Sequence, residues 1–368
     1  MARPTIQDIA RKAGVSTAVV SHVTNNHPGH MSAATRRRVR EVIATFGYRP
    51  LGVAKSLRRR ESRALGLVIS DITSALFAPV VRGVEAVAAR AAYQVLLVNA
   101  ETVAAEREAL AALAAHPVDG LIFMSTSQRQ ASRHLADTGG IPVIAINRYG
   151  GPSELIRILW DDRAGAQVAV QHLLDLGHRR IGLIGGPRGR LSATRRLQGY
   201  GAAHRTSGLP VDPCLVVSGD YTVEAGLHGV RRLLRLSPPP TAIVAINDSM
   251  AMGALRGIQV AGLRCPEDVA VVGIGDPPFM AFAAPPLTTI ALPVEEAGRR
   301  AAERLLEQIA GEHPCACSEV LPCRLVVRES SGAPATPRRS RKAASGLSHA
   351  NQSAPHSTAA PARARGTP

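Results

Sequence analysis

Near the start of the chain, apolar positions recur with a helical period. Ile6, Ile9, Ala10 and Ala13 fall at i, i+3, i+4 and i+7, behind a Thr5 placed to cap the helix with Asp8 three residues on. Gly14-Val15-Ser16 supplies a glycine turn ending in a second cap, and a helix over residues 17–25 follows with Val20 and Val23 on its inner side. Its outward residues are Thr17, Ala18, Ser21 and His22. Ser32 caps a third helix, whose Val39, Val42, Ile43 and Phe46 form an apolar stripe opposite Arg36, Arg37, Arg38 and Arg40. Tyr48-Arg49-Pro50 ends it, and residues 53–60 make a helix-competent run too short to be stable alone in water. The pattern predicts a helix-turn-helix with a supporting helix over residues 1–50 and a hinge helix and linker over 51–62.

Beyond residue 63 the period changes. Strand-like runs at 65–69, 95–98, 121–124 and 143–146 alternate with helical patterns at 78–92, 106–115 and 131–137. A second series places helices at 164–176, 195–206, 223–236 and 250–260 around strands at 181–184, 215–217, 242–246 and 269–274. Such β-α alternation predicts parallel sheets covered on both faces, and residues 63–330 are enough for two lobes. In open α/β sheets a ligand sits beyond the carboxyl ends of the strands. The candidates there are Asp71, Ser74, Phe77, Ser125, Asn147, Arg148, Arg196, Asn247 and Gly275, with Asp248 and Asp276 beside them. Amides, hydrogen-bonding forks and one aromatic wall suit a neutral or anionic polar metabolite.

Charge divides the chain in the same way. Residues 1–63 carry a net +10, residues 331–368 a net +6 with no acid, and the stretch between them is neutral. A basic head points to a polyanionic partner, and short side chains on the outer face of the second helix allow close approach to base edges in a major groove about 12 Å wide. Residues 331–368, rich in Ala, Pro, Ser and Arg without apolar period, are expected to be a disordered basic tail. They lack leucine heptads, so a dimer is expected rather than a tetramer held by a coiled coil.

Other classes are excluded. No long apolar run predicts a membrane span, and Met1 leads directly into a polar helical pattern, so a cytoplasmic protein is expected. The five cysteines, 214, 265, 315, 317 and 323, are odd in number and match reduced thiols. Cys315-Ala316-Cys317 lacks a second cluster at zinc spacing, so neither a metal nor a cofactor is expected. Gly185-Gly186-Pro187-Arg188-Gly189 matches neither a Walker loop nor a dinucleotide fingerprint, and no hydrolase triad or HExxH motif is present. The chain does not read as an enzyme.

Three stretches, TIQDIARKAGVSTAVVSHVTN from Thr5 to Asn25, the helix ending FGYRP and the run VAKSL, resemble the LacI/GalR family of bacterial repressors, and the likeness continues through most of the body. The resemblance implies an N-terminal all-α helix-turn-helix domain joined by a hinge helix to an α/β, periplasmic-binding-protein-like sensor of two parallel-sheet lobes. It implies operator contacts at Thr5, Ser16, Thr17, Ala18, Ser21, His22 and Asn25. Hinge helices of a homodimer would enter the minor groove, with Leu57 wedging a base step open beside Ala54 and Lys55; the unstacking costs a few kcal/mol and is offset by added contact. Several of the post-strand residues would line an effector cleft.

The expected function is a transcriptional repressor binding a pseudo-palindromic double-stranded operator as a dimer, controlled by a sugar or sugar derivative. Four positions depart from the family's habit. His22 stands where Arg is common, Leu51 where Asn is common, and Asn147 and Gly275 where sugar-binding relatives carry aspartates. Arg148 and Arg196 would then favour a phosphorylated or carboxylated ligand, unless Asp71 or Asp248 neutralises them. A solute-binding transport protein would share the body without the head. An effector-independent architectural DNA binder would keep the head and tolerate a blocked cleft.

Overall fold

A computed structural model describes residues 4–24, 31–48, 61–115, 118–124, 140–147, 155–312 and 318–332. Asn25, the hinge run with Ala54, Lys55 and Leu57, Ser125, the helix predicted at 131–137, Arg148, Cys315, Cys317 and the tail from residue 333 lie outside them.

The head contains α1 (Ile6–Ala13), α2 (Thr17–Thr24) and α3 (Ala33–Phe46). Helix α1 begins in a reciprocal capping box: the Asp8 amide donates to Thr5 Oγ1, and the Thr5 amide and hydroxyl donate to the Asp8 carboxylate at 3.0 and 2.6 Å. Gly14, at φ +63°, closes the helix in the left-handed conformation that glycine adopts without steric cost, and so turns the chain into α2. Ile9, Ala10, Ala13, Val20, Val23 and Val39 meet in one small core. Phe46, expected in the apolar stripe of α3, is instead 42% exposed. Ile43 and Tyr48, on either side of it in sequence, still pack against that core, while the Phe46 ring lies outside it, 5.8 Å from the Lys12 ammonium.

The first lobe is built on β1 (Ala64–Ile69), α4 (Phe77–Arg90), β2 (Gln94–Asn99), α5 (Val103–Ala115), β3 (Gly120–Met124), β4 (Val143–Ile146) and β5 (Ile156–Trp160). The second follows with α6 (Asp162–Asp175), β6 (Ile181–Gly185), α7 (Leu191–Thr206), β7 (Val216–Ser218), α8 (Val223–Leu234), β8 (Ala242–Ala245), α9 (Asp248–Val260), β9 (Ala270–Gly275) and β10 (Thr288–Ala291). Helix α10 (Val294–Ile309) then returns to the first lobe, β11 (Glu319–Leu321) joins its sheet, and β12 (Arg324–Val326) ends in the second. The sheets run β11-β5-β4-β3-β1-β2 and β12-β10-β9-β8-β6-β7, and among the described residues only β10–β12 pair antiparallel.

Period-two alternation feeds both faces of the first sheet. In β1, Leu65, Leu67 and Ile69 enter the main core while Val68 enters a second cluster with Leu110 and Leu113 of α5. Strands β5, β10, β11 and β12 and helix α10 extend the alternation read from the sequence. They matter because the chain passes between lobes after β5, after β10 and after β11.

The tail begins later than residue 331. Ser330 and Ser331 are fully buried. The Thr288 amide donates to Ser330 Oγ at 2.8 Å, Ser330 Oγ donates to the Val271 carbonyl at 2.6 Å, and Ser331 Oγ lies 3.0 Å from His172 Nε2. These bonds satisfy buried polar groups of β9, β10 and α6, so both serines belong to the folded lobe.

Candidate functional site

On the head, Ser16 caps α2, with the Val19 amide 3.4 Å from its Oγ. Burying Val20 and Val23 leaves Thr17, Ala18 and His22 exposed and Ser21 half-buried. The outer face of α2 is therefore short-chained and polar, as a helix entering a groove requires. Thr5 is different: both its donors are engaged by Asp8, so in this conformation it fixes the start of α1 and has no hydrogen to offer a phosphate. Arg37, Arg38 and Arg40 are exposed on α3, and Arg36 is half-buried.

Between the lobes lies a cavity of about 580 Å³. Asp71, Ser74, Phe77 and Asn147 line it from the first lobe, and Arg196, Asn247 and Gly275 from the second. These are the described members of the post-strand set, gathered because parallel strands present their carboxyl ends on one side of each sheet. Asn247 is committed on both sides: its Oδ1 accepts from the Met250 amide at 2.9 Å, capping α9, and its Nδ2 donates to the Tyr221 carbonyl at 2.9 Å. Asp71 Oδ1 accepts from the amide and hydroxyl of Thr73 at 2.8 and 2.6 Å.

Arg196 has a different partner from the one expected. Its Nε and Nη2 lie 2.8 and 2.7 Å from Asp162 Oδ1, and Nη1 donates to the Ile246 carbonyl. Neither Asp71 nor Asp248 neutralises it. Asp162 follows β5 at the first lobe crossing, and its carboxylate also receives Trp160 Nε1 at 3.3 Å and Asn147 Nδ2 at 3.5 Å, so it joins groups of both lobes. The sequence signal for it was the apolar run Leu155 to Trp160 followed by Asp161, whose carboxylate caps α6.

Asp248 and Asp276, the post-strand residues read beside that set, also line the cavity, as does Tyr221, which the sequence reading does not name. Asp248 accepts the Thr289 hydroxyl at 2.7 Å and the Asp276 amide at 2.5 Å, while Asp276 pairs with Arg328 at 2.6 Å. Backbone strain collects here. Asn147 (φ +48°), Tyr221 (+75°) and Asp276 (+63°) are non-glycine residues in the left-handed region, and all three line the cavity. Among the described residues no cluster of His, Cys, Asp and Glu has the makeup of a metal site, and no helix is long and apolar enough to cross a membrane.

Comparison with known proteins connects the two halves. Residues 5–50 match the model of bacterial regulatory proteins of the lacI family, and residues 170–331 that of the periplasmic binding protein-like domain. The HTH-type transcriptional repressor CytR of Escherichia coli (strain K12) is 36% identical over 335 residues, covering 89% of this chain and 96% of the relative. The chain belongs to the LacI family. Among solved structures, the lac repressor dimer bound to operator and the anti-inducer ONPF aligns with a TM-score of 0.80 at 29% identity, over 90% of this chain and 99% of that one. The complex of the transcriptional regulator CelR with cellobiose aligns at 0.69 and 33% identity, over 89% and 100%. CytR is a transcriptional repressor and the matching family model is one of regulatory proteins, so this LacI-family chain is a regulator, not an enzyme.

Burial pushes the Asp248 carboxyl of this LacI-family sensor up to about 6, against the hydrogen bonds from Thr289 and Asp276 that favour its charge. The folded lobe therefore holds a proton that the unfolded chain releases near pH 4. The stabilisation from this group is complete below that pH and lost as pH rises through 6, a change of about 3 kcal/mol. Asp248→Asn removes this titration. Urea unfolding of both proteins from pH 4.5 to 7.5 should show the variant gaining relative to wild type as pH rises; a constant difference would contradict the assignment.

Proposed function

We propose that this regulator is a cytoplasmic repressor that binds a pseudo-palindromic operator as a homodimer and is switched by a small polar metabolite held between its lobes. One observation carries the reading: a single chain joins a helix-turn-helix with an exposed, short-chained second helix to a two-lobed sensor whose cleft is lined from both sides. The solved lac repressor is a dimer on operator with an anti-inducer, and the CelR structure holds cellobiose, which supports both parts of the proposal.

Residues 1–50 form the reading head, 51–62 the hinge, and 63–330 with Ser331 the sensor. Ser16, Thr17, Ala18, Ser21, His22 and Asn25 face the operator, and exposed arginines of α3 add phosphate contacts that are sequence-independent. In the hinge, Ala54, Lys55 and Leu57 enter the minor groove. Effector binding alters the relation of the lobes and thereby the hinge, with a coupling of about 1 to 3 kcal/mol that acts in both directions. Arg196, neutralised by Asp162, lends no support to an anionic effector.

The test uses the full chain and duplexes from its own upstream region, titrated over a range of salt. Leu57→Ala should weaken specific binding by about 10- to 100-fold, because the wedge acts only where the duplex is bent, while non-specific binding changes little. Equal losses on operator and random duplex would contradict the hinge assignment.

A further inference from the structure

The chain enters the sensor through Ser62 and Arg63, and one carboxylate far along the sequence receives both. The Ser62 amide and hydroxyl donate to Asp119 Oδ1 at 2.7 and 2.8 Å, and the Arg63 amide donates to Asp119 Oδ2 at 2.9 Å. Three donors on one carboxylate make charge-assisted bonds, stronger than those between neutral groups. Held this way, Arg63 takes φ +54°, a left-handed conformation that a residue with a side chain keeps only where its surroundings dictate it. Its carbonyl accepts from the Gln94 amide at 2.8 Å, and its guanidinium lies 5.2 Å from the centre of the Tyr93 ring and 3.0 Å from Glu61 Oε2.

This clamp sits at one end of a stiff pair of strands. Strand β1 starts directly after Arg63 and β3 directly after Asp119, and they pair in parallel from Leu65 with Gly120 to Ile69 with Met124. The Asp119 amide donates to the Ala64 carbonyl at 2.9 Å, which closes the near end. At the far end Ser70 and Asp71, which follow β1, and Met124, which ends β3, line the cavity between the lobes. Both strands are interior to their sheet, and Leu65–Ile69 and Gly120–Met124 are buried throughout. Strands of this length span about 16 to 20 Å. The clamp is thus joined to the cavity by closely packed backbone.

We infer that Asp119 is a positioning residue for operator recognition: its carboxylate fixes the point and direction at which the hinge segment leaves the sensor. The inference rests on the regulator reading proposed above, with residues 51–62 as the hinge. Two heads of a dimer reach half-sites at one separation on a pseudo-palindrome, so specific binding depends on where each linker starts. Non-specific binding draws on the charge of the head and has no such requirement. Releasing the clamp leaves more chain to be ordered on the operator, and that entropy falls on the specific complex alone.

Fluorescence anisotropy of the full-length protein on an upstream duplex and on a random duplex tests this. Asp119→Ala should weaken operator binding by about tenfold and random binding by less than about twofold. Ser62→Ala, which removes one of the three donors, should show a smaller loss of the same kind, and adding it to Asp119→Ala should cost little more because the partner is already gone. Leu110→Ala loosens the second core of the same lobe away from the clamp, and should leave the ratio of the two affinities as in wild type. Hydrogen exchange at the Ser62 and Arg63 amides of the DNA-free protein should quicken in Asp119→Ala and not in Leu110→Ala. Thermal unfolding is followed for each variant, and should Asp119→Ala fail to fold, Ser62→Ala decides by the same affinity ratio. Equal losses on both duplexes, an equal loss of selectivity in Leu110→Ala, or unchanged exchange at Ser62 and Arg63 would overturn the inference alone. A wild type with no preference for any upstream duplex would overturn the regulator reading and this inference with it.

Discussion

Arg196→Met should destabilise the sensor by about 3 to 5 kcal/mol, the largest single effect expected at the cleft, because it strands the fully buried Asp162 without its cation. The Arg196 side chain is 7% exposed and that of Asp162 0%, so water cannot replace the lost partner. Trp160 Nε1 and Asn147 Nδ2 remain as donors, but at 3.3 and 3.5 Å they do not balance a charge. Replacing both members, Arg196→Met with Asp162→Leu, should restore much of the loss, since a well-packed apolar pair avoids desolvating two ions. Urea midpoints of the two variants and wild type measure this. A single variant within about 1 kcal/mol of wild type would show that the pair is not the buried junction described here.

The second large effect is expected where α8 and α9 cross. A β-carbon at Gly253 would lie 1.9 Å from the Val223 carbonyl oxygen, and one at Gly226 would lie 2.1 Å from that of Met250. The helices approach through reciprocal glycines. In an isolated helix Gly→Ala gains up to about 1 kcal/mol, but here the added carbon forces two backbones apart, and overpacking of that kind costs about 1 to 3 kcal/mol or more. Gly253→Ala should therefore lower the thermal midpoint. Gly201→Ala serves as the control, because its β-carbon would meet only the flexible end of Arg205 at 3.2 Å, and it should leave stability unchanged or raised. If both variants behaved alike, close helix approach would not be what Gly253 provides.

The contrast between these residues shows what could be read without coordinates. The head was legible because its signals are local: Thr5 with Asp8, the Gly14 turn, and the apolar period within each helix that marks Ile9, Val20 and Val39 as inward-facing. Phe46 misled because periodicity names a face of a helix without saying how much of that face its neighbours cover. The post-strand rule brought Asp71, Asn147, Arg196 and Gly275 to one cavity, since strand direction alone determines which ends face it. It could not pair Arg196 with Asp162, which lies 34 residues away at the start of α6. Four-residue β10 and three-residue β11 and β12 carry too few positions for a period, and Ser331 reads as tail until the bonds to His172 and Thr288 are seen.

Asp162 gives the account its mechanical content. It collects Asn147 and Trp160 from the first lobe and Arg196 from the second, three residues that line the cavity. A ligand that engages Asn147 therefore touches a group already bonded to the lobe junction. Differential contact of this kind is what a ligand needs in order to shift an equilibrium between two arrangements.

The central claim is that one small molecule in the cleft changes the hold of the head on DNA. The direct measurement is fluorescence anisotropy of a labelled upstream duplex with the full-length protein, repeated with each member of a panel of sugars, sugar phosphates, nucleosides and small acids whose binding to the protein is measured by calorimetry. The account predicts that the member which binds by calorimetry shifts operator affinity by about 5- to 150-fold, and that operator shifts that member's affinity by the same factor. A ligand that fills the cleft while operator affinity stays constant would contradict it.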